Sequence, residues 1–456
     1  LGTASATYLY RARSTSSHLA AKPLAEHTPP VSTDRILIFS PHPDDETLGC
    51  GGLIQQAVAA GAHVRVVFLT NGDGFRVAVQ RQLRTIQVTP DDYVRFAGIR
   101  QDEVRAADGK LGLPSSCVTF LGYPDRGLLP MWQKCWSDEN PFWSRYTKTT
   151  VSPYGGSDRP RPLYSGKGLL AEVQNILSEE RPTAVYVTHP SDDHPDHAAA
   201  SAFVTAAMLQ AKDAREGWSQ NCELSYYLVH RGDWPNPQGL FKNDRLTPPL
   251  EMQLADAKWS SIKLDTKQVE TKSQAIEAYQ SQTAVMRRFL VSFARTNEVF
   301  AKISPVSPDR CEEDSSKWWN EAKDVPSACA GDPVNDNLLR DFQGAGDIRQ
   351  IAARADSDTV SLRIDAEHPI ANDIDYTVQI RYFGQRDMAG SGLLSVQIPS
   401  KGGQLADGME AHVKDRSLWL RIPLKAIGNA KRFGLSVETS VAGIQIDRTG
   451  YRFFIL

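Results

Sequence analysis

No CxxC pair occurs among the six cysteines of this 456-residue chain, so a zinc ribbon is not expected. No run of 18 apolar residues is present either, which argues against a membrane-spanning helix. Nor is there a basic excess: 51 Lys and Arg stand against 54 Asp and Glu, for a net charge of −3. That balance gives no support to a nucleic-acid partner. The stretch GCGG at residues 49–52 lacks GxGxxG spacing, and the carboxylates just before it would repel a pyrophosphate unless a cation intervened. Dinucleotide binding is thereby set aside. No internal repeat relates the two halves of the chain, and nothing in the sequence reports an oligomeric state.

What is present is enough apolar material, 41% of residues, for a sizeable core. At roughly 150 residues per domain the length suggests two or three domains. The chain opens on Leu rather than Met, as a processed or trimmed chain would, so any targeting signal is out of view. Residues 1–32 mix Ala, Ser, Thr, Pro and Arg without a period and read as an extended arm. Cys311 and Cys329 bracket a loop-like stretch, CEEDSSKWWNEAKDVPSAC. A disulfide there would suit an exported protein, and a secreted or extracytoplasmic location is the expectation.

Strand-like runs lie at residues 35–40 (RILIFS), 63–70, 118–123, 183–189 and 223–230. Helical patterns lie between them at 51–60, 91–110, 167–180 and 197–212, and a last one spans 267–290. This alternation predicts a three-layer α/β sandwich with a mainly parallel sheet over residues 33–302. Residues 124–165 are long for a connection and rich in Trp: Trp132, Trp136 and Trp143 would make either a sugar-stacking rim or a surface subdomain pinned by its own rings. Residues 303–335 read as a linker. From 336 to 456, short alternating runs separated by turns predict an all-β sandwich, a carbohydrate-binding or accessory domain. Tyr382, Phe383 and Trp419 are its candidate binding aromatics, although Tyr382 and Phe383 are neighbours and face opposite ways on a regular strand. Filling the sandwich core is an equally good use for such rings.

Two polar clusters follow apolar strands. SPHPDDETLGCGG occupies 40–52, and THPSDDHPDHAAA occupies 188–200. In an open α/β sheet, ligands sit beyond the carboxyl ends of the strands, and a helix N-terminus there favours negative charge. His42 and Asp45 offer a nitrogen and an oxygen to one metal, a donor pair that suits zinc. The second cluster, with His189, His194 and His197, can supply the missing ligand and leave a fourth position open. Glu46 would cap or orient the loop. His63 and His230, at strand ends, read as structural, with His230 able to approach the site edge. Cys50 has no paired base and reads as a buried small side chain.

The stretch PHPDDETLGCGG resembles the signature of the PIG-L/LmbE-like zinc-dependent N-deacetylases. TNGD (70–73), RQDE (100–103), LGYPDRGL (121–128), HPSDDHPDHAAA and KSQAIEAYQSQ (272–282) follow in that family's order over residues 33–300. The resemblance implies a Rossmann-like α/β sandwich and removal of acetyl groups from N-acetylglucosamine-type units on a lipid-linked inositol, a small thiol precursor or an antibiotic. It implies His42, Asp45 and His197 as ligands of Zn2+ or another divalent metal. It implies Asp44 as general base and a protonated His194 facing the developing oxyanion; spacing alone permits Asp44 and Asp45 to exchange roles. Arg100, Asp125 and Asp73 fall on segments that shape the substrate side, with Asp73 where the family usually has Glu. The KSQAIEAYQSQ segment reads as a core-packing helix with a polar face. A carbohydrate or glycoconjugate is the expected substrate. The same machinery would serve a zinc amidase on a non-sugar acylamine, and a decayed site would leave a noncatalytic glycan-binding protein.

Overall fold

The computed structural model describes residues 24–154, 161–311, 318, 329–334, 344–384, 391–399 and 401–456. The N-terminal part is a three-layer α/β sandwich around an eight-stranded sheet. Its strands are β1 (Ala25–Glu26), β2 (Arg35–Ser40), β3 (His63–Thr70), β4 (Val118–Tyr123), β5 (Ala184–Thr188), β6 (Glu223–Tyr227), β7 (Lys258–Lys263) and β8 (Asn297–Lys302), in the order β1-β7-β8-β6-β5-β2-β3-β4. From β4 across to β6 every pairing is parallel, and β8 joins β6 and β7 antiparallel. Parallel strands covered on both faces need apolar side chains on both, and Ile36 to Ser40 are accordingly all buried.

Helices Asp45–Ala60, Pro90–Leu111 and Thr266–Ala278 pack together as one layer, while Leu128–Gln133, Gly166–Glu180 and Pro195–Asp213 form the other. The helix pattern at 267–290 is two helices, Thr266–Ala278 and Gln280–Leu290, joined at Tyr279. The chain runs β2, β3, β4 to one side, then returns to lay β5 on the other side of β2. That reversal is the topological switch point, where an α/β sheet opens a crevice for ligands. The register Ile36 to Ala184 and Ile38 to Tyr186 brings the ends of β2 and β5 level, closing some 150 residues of sequence separation with one strand pairing.

Parts of the arm and the linker are built into the domains. β1 pairs with β7, and His27 is buried against Tyr186 and Ser260. Val306 exchanges backbone hydrogen bonds with the final strand, donating to Phe453 and accepting from Ile455.

The C-terminal part is a sandwich of two sheets. One is built on β11 (Ile348–Ala355), β12 (Thr359–Ala366), β16 (Glu410–Lys414) and β17 (Ser417–Pro423), with short strands β9 (Asp309–Arg310), β10 (Cys329–Gly331) and β15 (Gly403–Gln404). The other holds β13 (Asp375–Tyr382), β14 (Gly392–Ile398), β18 (Arg432–Val441), β19 (Ile444–Arg448) and β20 (Arg452–Ile455). Val378, Ile380, Leu435, Val437 and Phe454 fill the space between the sheets.

All six cysteines are thiols, so the disulfide expected between Cys311 and Cys329 is not formed. The cause is register: both lie along the same edge of β11, with Cys329 opposite Ala352 and the Cys311 N–H on the Ala355 carbonyl. Arg310 pairs with Ala355, so Cys311 is level with residue 356, and four residues of extended strand put the two cysteines about 13 Å apart, beyond the reach of a disulfide. No helix among the described residues is long and apolar enough to cross a membrane.

Candidate metal centre

The loop after β2 is held before it reaches any ligand. Pro41 O accepts from both Thr70 N and Thr70 Oγ1, and Ser40 Oγ donates to His42 O. Asp44 then takes φ 127°, a conformation costly for a residue with a side chain, and Asp45 opens the helix. The HPDDE motif thus enters the first helical turn, earlier than the pattern at 51–60 indicated. After β5, His194 is the N-cap of the next helix and His197 lies in its first turn.

These two helix starts converge. His42 Nδ1 is 3.1 Å from His197 Nε2 and 3.3 Å from Asp45 Oδ2, and His197 Nε2 is 3.1 Å from Asp45 Oδ2. Three donor atoms bound tetrahedrally at 2.0–2.1 Å would be separated by about 3.3 Å. The triangle therefore fits a divalent cation, and two ring nitrogens aimed at one another leave lone pairs that such an ion would satisfy.

Each outer nitrogen faces a carboxylate. His42 Nε2 lies 3.3 Å from Asp196 Oδ2, and His197 Nδ1 lies 3.2 Å from Asp192 Oδ2. Each carboxylate draws the ring proton outward and leaves the inner nitrogen free to ligate. Burial works against charge on both rings, but their carboxylate neighbours outweigh it: His42 is held well above the usual histidine range and His197 is raised to about 9. Burial would raise Asp45, but His197 and His42 hold it well below.

Asp192 and Asp196 are site residues that no expectation from the sequence names. Asp192 also accepts from His194 N, Val229 N and His230 N. Asp196 accepts from Arg126 N at 2.6 Å and Leu128 N at 3.0 Å, tying the loop after β4 to the centre. A pair of ligating histidines calls for a pair of outer carboxylates, and SDDHPDH contains them.

Asp44 sits beside the triangle. Its Oδ2 accepts from Arg100 at 3.1 Å, and its N–H goes to Glu46. Burial pushes its carboxyl up to about 8, against the pull of Arg100 and with the help of Asp45 and Glu46. Glu46 also accepts from Thr47 and Tyr279, so it holds the loop from behind. Arg100 is buried and turned inward, donating to Gly72 O, Pro43 O and Asp44. Asp125 accepts from Gly74 N and lies 3.7 Å from His42 Nε2. Asp73 accepts from Tyr154, while its other oxygen is buried without a partner; burial, then Asp125, raises its carboxyl to about 7.

His194 completes the edge, its ring 4.7 Å from that of His42. Its Nδ1 accepts from Asp196 N, so the proton of the neutral ring is on Nε2. Burial, and then the charges of His42 and His197, hold it well below the usual range. In that tautomer the ring presents an N–H from Nε2 without needing a second proton. His230 stacks on Phe289, 5.0 Å from His197 and 5.7 Å from His194. His42, His194 and His197 offer ligand atoms within 4.8 Å of one another, as do Asp45, His197 and His230, and His42, Asp125 and Asp196.

Other candidates fall outside the centre. His189 stacks on Trp259 and is held neutral by burial, its pKa lowered to about 3. His63 pairs with Glu180. Cys50 is buried, with its thiol pushed well up by burial. Ala275, Ile276 and Tyr279 are core. Of the three tryptophans, Trp132 is fully buried, Trp136 half-buried, and Trp143 52% exposed. Phe383 and Trp419 are each 3% exposed, so neither offers an open ring face.

The family model for GlcNAc-PI de-N-acetylase (PIG-L) matches residues 37–208. A 1D-myo-inositol 2-acetamido-2-deoxy-alpha-D-glucopyranoside deacetylase of Saccharopolyspora erythraea is 30% identical over 184 residues, 39% of this chain and 55% of that one. The chain thus spans little more than half the length of that relative. Its counterpart in Rhodococcus erythropolis is 25% identical over 295 residues, 60% of this chain and 90% of that one. Among solved structures, the N,N'-diacetylchitobiose deacetylase of Pyrococcus horikoshii is 19% identical with a TM-score of 0.35, covering 58% of this chain and 82% of its own. By its strand-end motifs, its donor triangle and the match over residues 37–208, this part of the chain is similar to the PIG-L/LmbE-like family.

Proposed function

We propose that the protein is a metal-dependent hydrolase that removes the acetyl group from an N-acetylglucosamine-type amino sugar or glycoconjugate, with Zn2+ as its metal. The observation that carries it is the His42, Asp45 and His197 triangle, with a carboxylate and a neutral imidazole beside it. His42, Asp45 and His197 would hold the ion. When bound, such an ion supplies Lewis acidity, bringing the pKa of water from 15.7 toward about 7 and polarising an amide carbonyl.

The chain's own groups do the rest. Asp44 takes the proton of the attacking water, and its pKa near 8 suits a group that must accept a proton and then return it. Arg100 keeps Asp44 aimed and favours its charged form. His194 donates from Nε2–H to the oxygen that becomes negative, a donor already in place before the reaction begins. Asp44 passes its proton to the leaving nitrogen, and acetate and a free amine result. Asp73 and Asp125, with the loop they hold, form the substrate side.

The test is acetate release from N-acetylglucosamine, its oligomers and its glycosides, alongside N-acetyl amino acids, with and without a chelator. Chelator-sensitive release from the sugars supports the proposal. Release from the amino acids alone would favour the non-sugar amidase, and none from either by the metal-loaded protein would overturn the hydrolase.

A further inference from the structure

Strand β13 reads YTVQIRY from Tyr376, and its alternation buries Val378 and Ile380 in the sandwich. The opposite face, with Gln379 and Arg381, would be solvated in a free sandwich. Here it is covered by the catalytic domain. Arg381 is 1% exposed, donates to Trp132 O, and lies 4.1 Å over the Trp136 ring. Its Nε has no partner, and burial lowers its pKa to about 10. Tyr451, Phe453 and Phe383 close around Trp132, which also meets Phe203 of the catalytic domain at 4.9 Å. Gln133 donates to Glu438 and Tyr451.

Trp132 belongs to the short helix Leu128–Gln133, whose first residue and preceding loop are the segment bound to Asp196. Asp196 faces His42. Sandwich and ligand are therefore joined by a continuous chain: Arg381, Trp132, Leu128, Asp196, His42. A second contact reaches the other ligand loop. Gly450, just before β20, lies so close to Pro190 that a Cβ would stand 2.4 Å from the Pro190 carbonyl oxygen. Two residues on, Asp192 holds His194, His230 and the outer face of His197.

We infer that the C-terminal sandwich is a buttress of the metal centre, with Arg381 and Gly450 as positioning residues that set the two ligand-bearing loops from another domain. The inference rests on the proposed metal site but not on the identity of the bond cleaved. It assigns a task to a domain whose candidate rings Phe383 and Trp419 are buried.

The test titrates the full chain with zinc alone, in competition with a chromophoric chelator. Arg381→Ala and Gly450→Ala should each weaken zinc binding by about tenfold or more, the effect typical of a disturbed outer shell. Arg381→Lys, which keeps a donor for Trp132 O, should recover part of the loss. Leu362→Ala, in the core strand β12, is the control; it lowers the unfolding midpoint and should leave zinc affinity at the parent value. If Arg381→Ala does not fold, Gly450→Ala decides. Zinc affinity within twofold of the parent in the folded interface variants would overturn the inference. So would an equal loss in Leu362→Ala, since the effect would then be general destabilisation.

Discussion

Asp196 offers the sharpest separation of ligand support from chemistry, because its side chain meets the donor triangle only at His42. Its Oδ2 receives His42 Nε2 and Arg126 N, and its Oδ1 receives Leu128 N. In Asp196→Asn the amide oxygen is best placed at the Oδ2 position, which has two donors, so the amide NH2 faces Leu128 N. One backbone donor is then unpaired, at about 1–3 kcal/mol of stability, while His42 keeps a neutral acceptor. Zinc affinity should fall toward the low end of the 10–100-fold range for outer carboxylates, about 1.4 kcal/mol for tenfold. Asp196→Ala removes all three acceptors, so its zinc affinity should fall toward 100-fold and its unfolding midpoint should drop further. Chelator competition and thermal unfolding read the two effects separately. Zinc affinity in Asp196→Ala within twofold of the parent would refute the claim that Asp196 sets the His42 ring.

Three more outcomes follow from the same geometry. Asp44→Asn should keep zinc and lose 10²–10⁴-fold or more in turnover, whereas Asp45→Asn should lose both; normal elemental loading in Asp45→Asn would exchange their roles. Because Arg100 lowers the Asp44 pKa, Arg100→Met should move the acid limb of the pH–rate profile to higher pH, and an unmoved limb would remove that pairing. His27 is buried, and its pKa is lowered to about 4 by burial and then Lys302. On acidification the unfolded chain therefore takes the proton first. That stability is present above the ordinary histidine pKa and is lost as pH falls through it, about 2 kcal/mol between pH 7 and 5. His27→Gln should flatten the pH dependence of unfolding by that amount.

The parallel strands were legible because a strand covered on both faces is an unbroken apolar run, as RILIFS is. The antiparallel strand Asn297–Lys302 was not, because Glu298 breaks its run; that carboxylate is buried against Lys272 and accepts from Gly52 N and Leu53 N of a distant helix. The break at Tyr279 carries no Gly or Pro, and its support is remote: Glu103 accepts from the N–H and hydroxyl of Ser281. At the site, ligand types and spacing could be read from two motifs, but the inward turn of Arg100 could not. The tryptophans of residues 124–165 were visible as aromatic content. Whether a ring meets solvent or a second domain depends on the docking of β13, which no local pattern reports. The same holds for Arg381, a charge on the open face of a strand until another domain covers it.

The central claim is that His42, Asp45 and His197 hold one divalent cation between them. Elemental analysis of the purified chain after zinc loading and exhaustive dialysis tests it most directly. About one zinc per chain is predicted for the parent, and almost none for His42→Ala, Asp45→Asn and His197→Ala. A parent that retains no metal, or three variants that each retain a full equivalent, would contradict it.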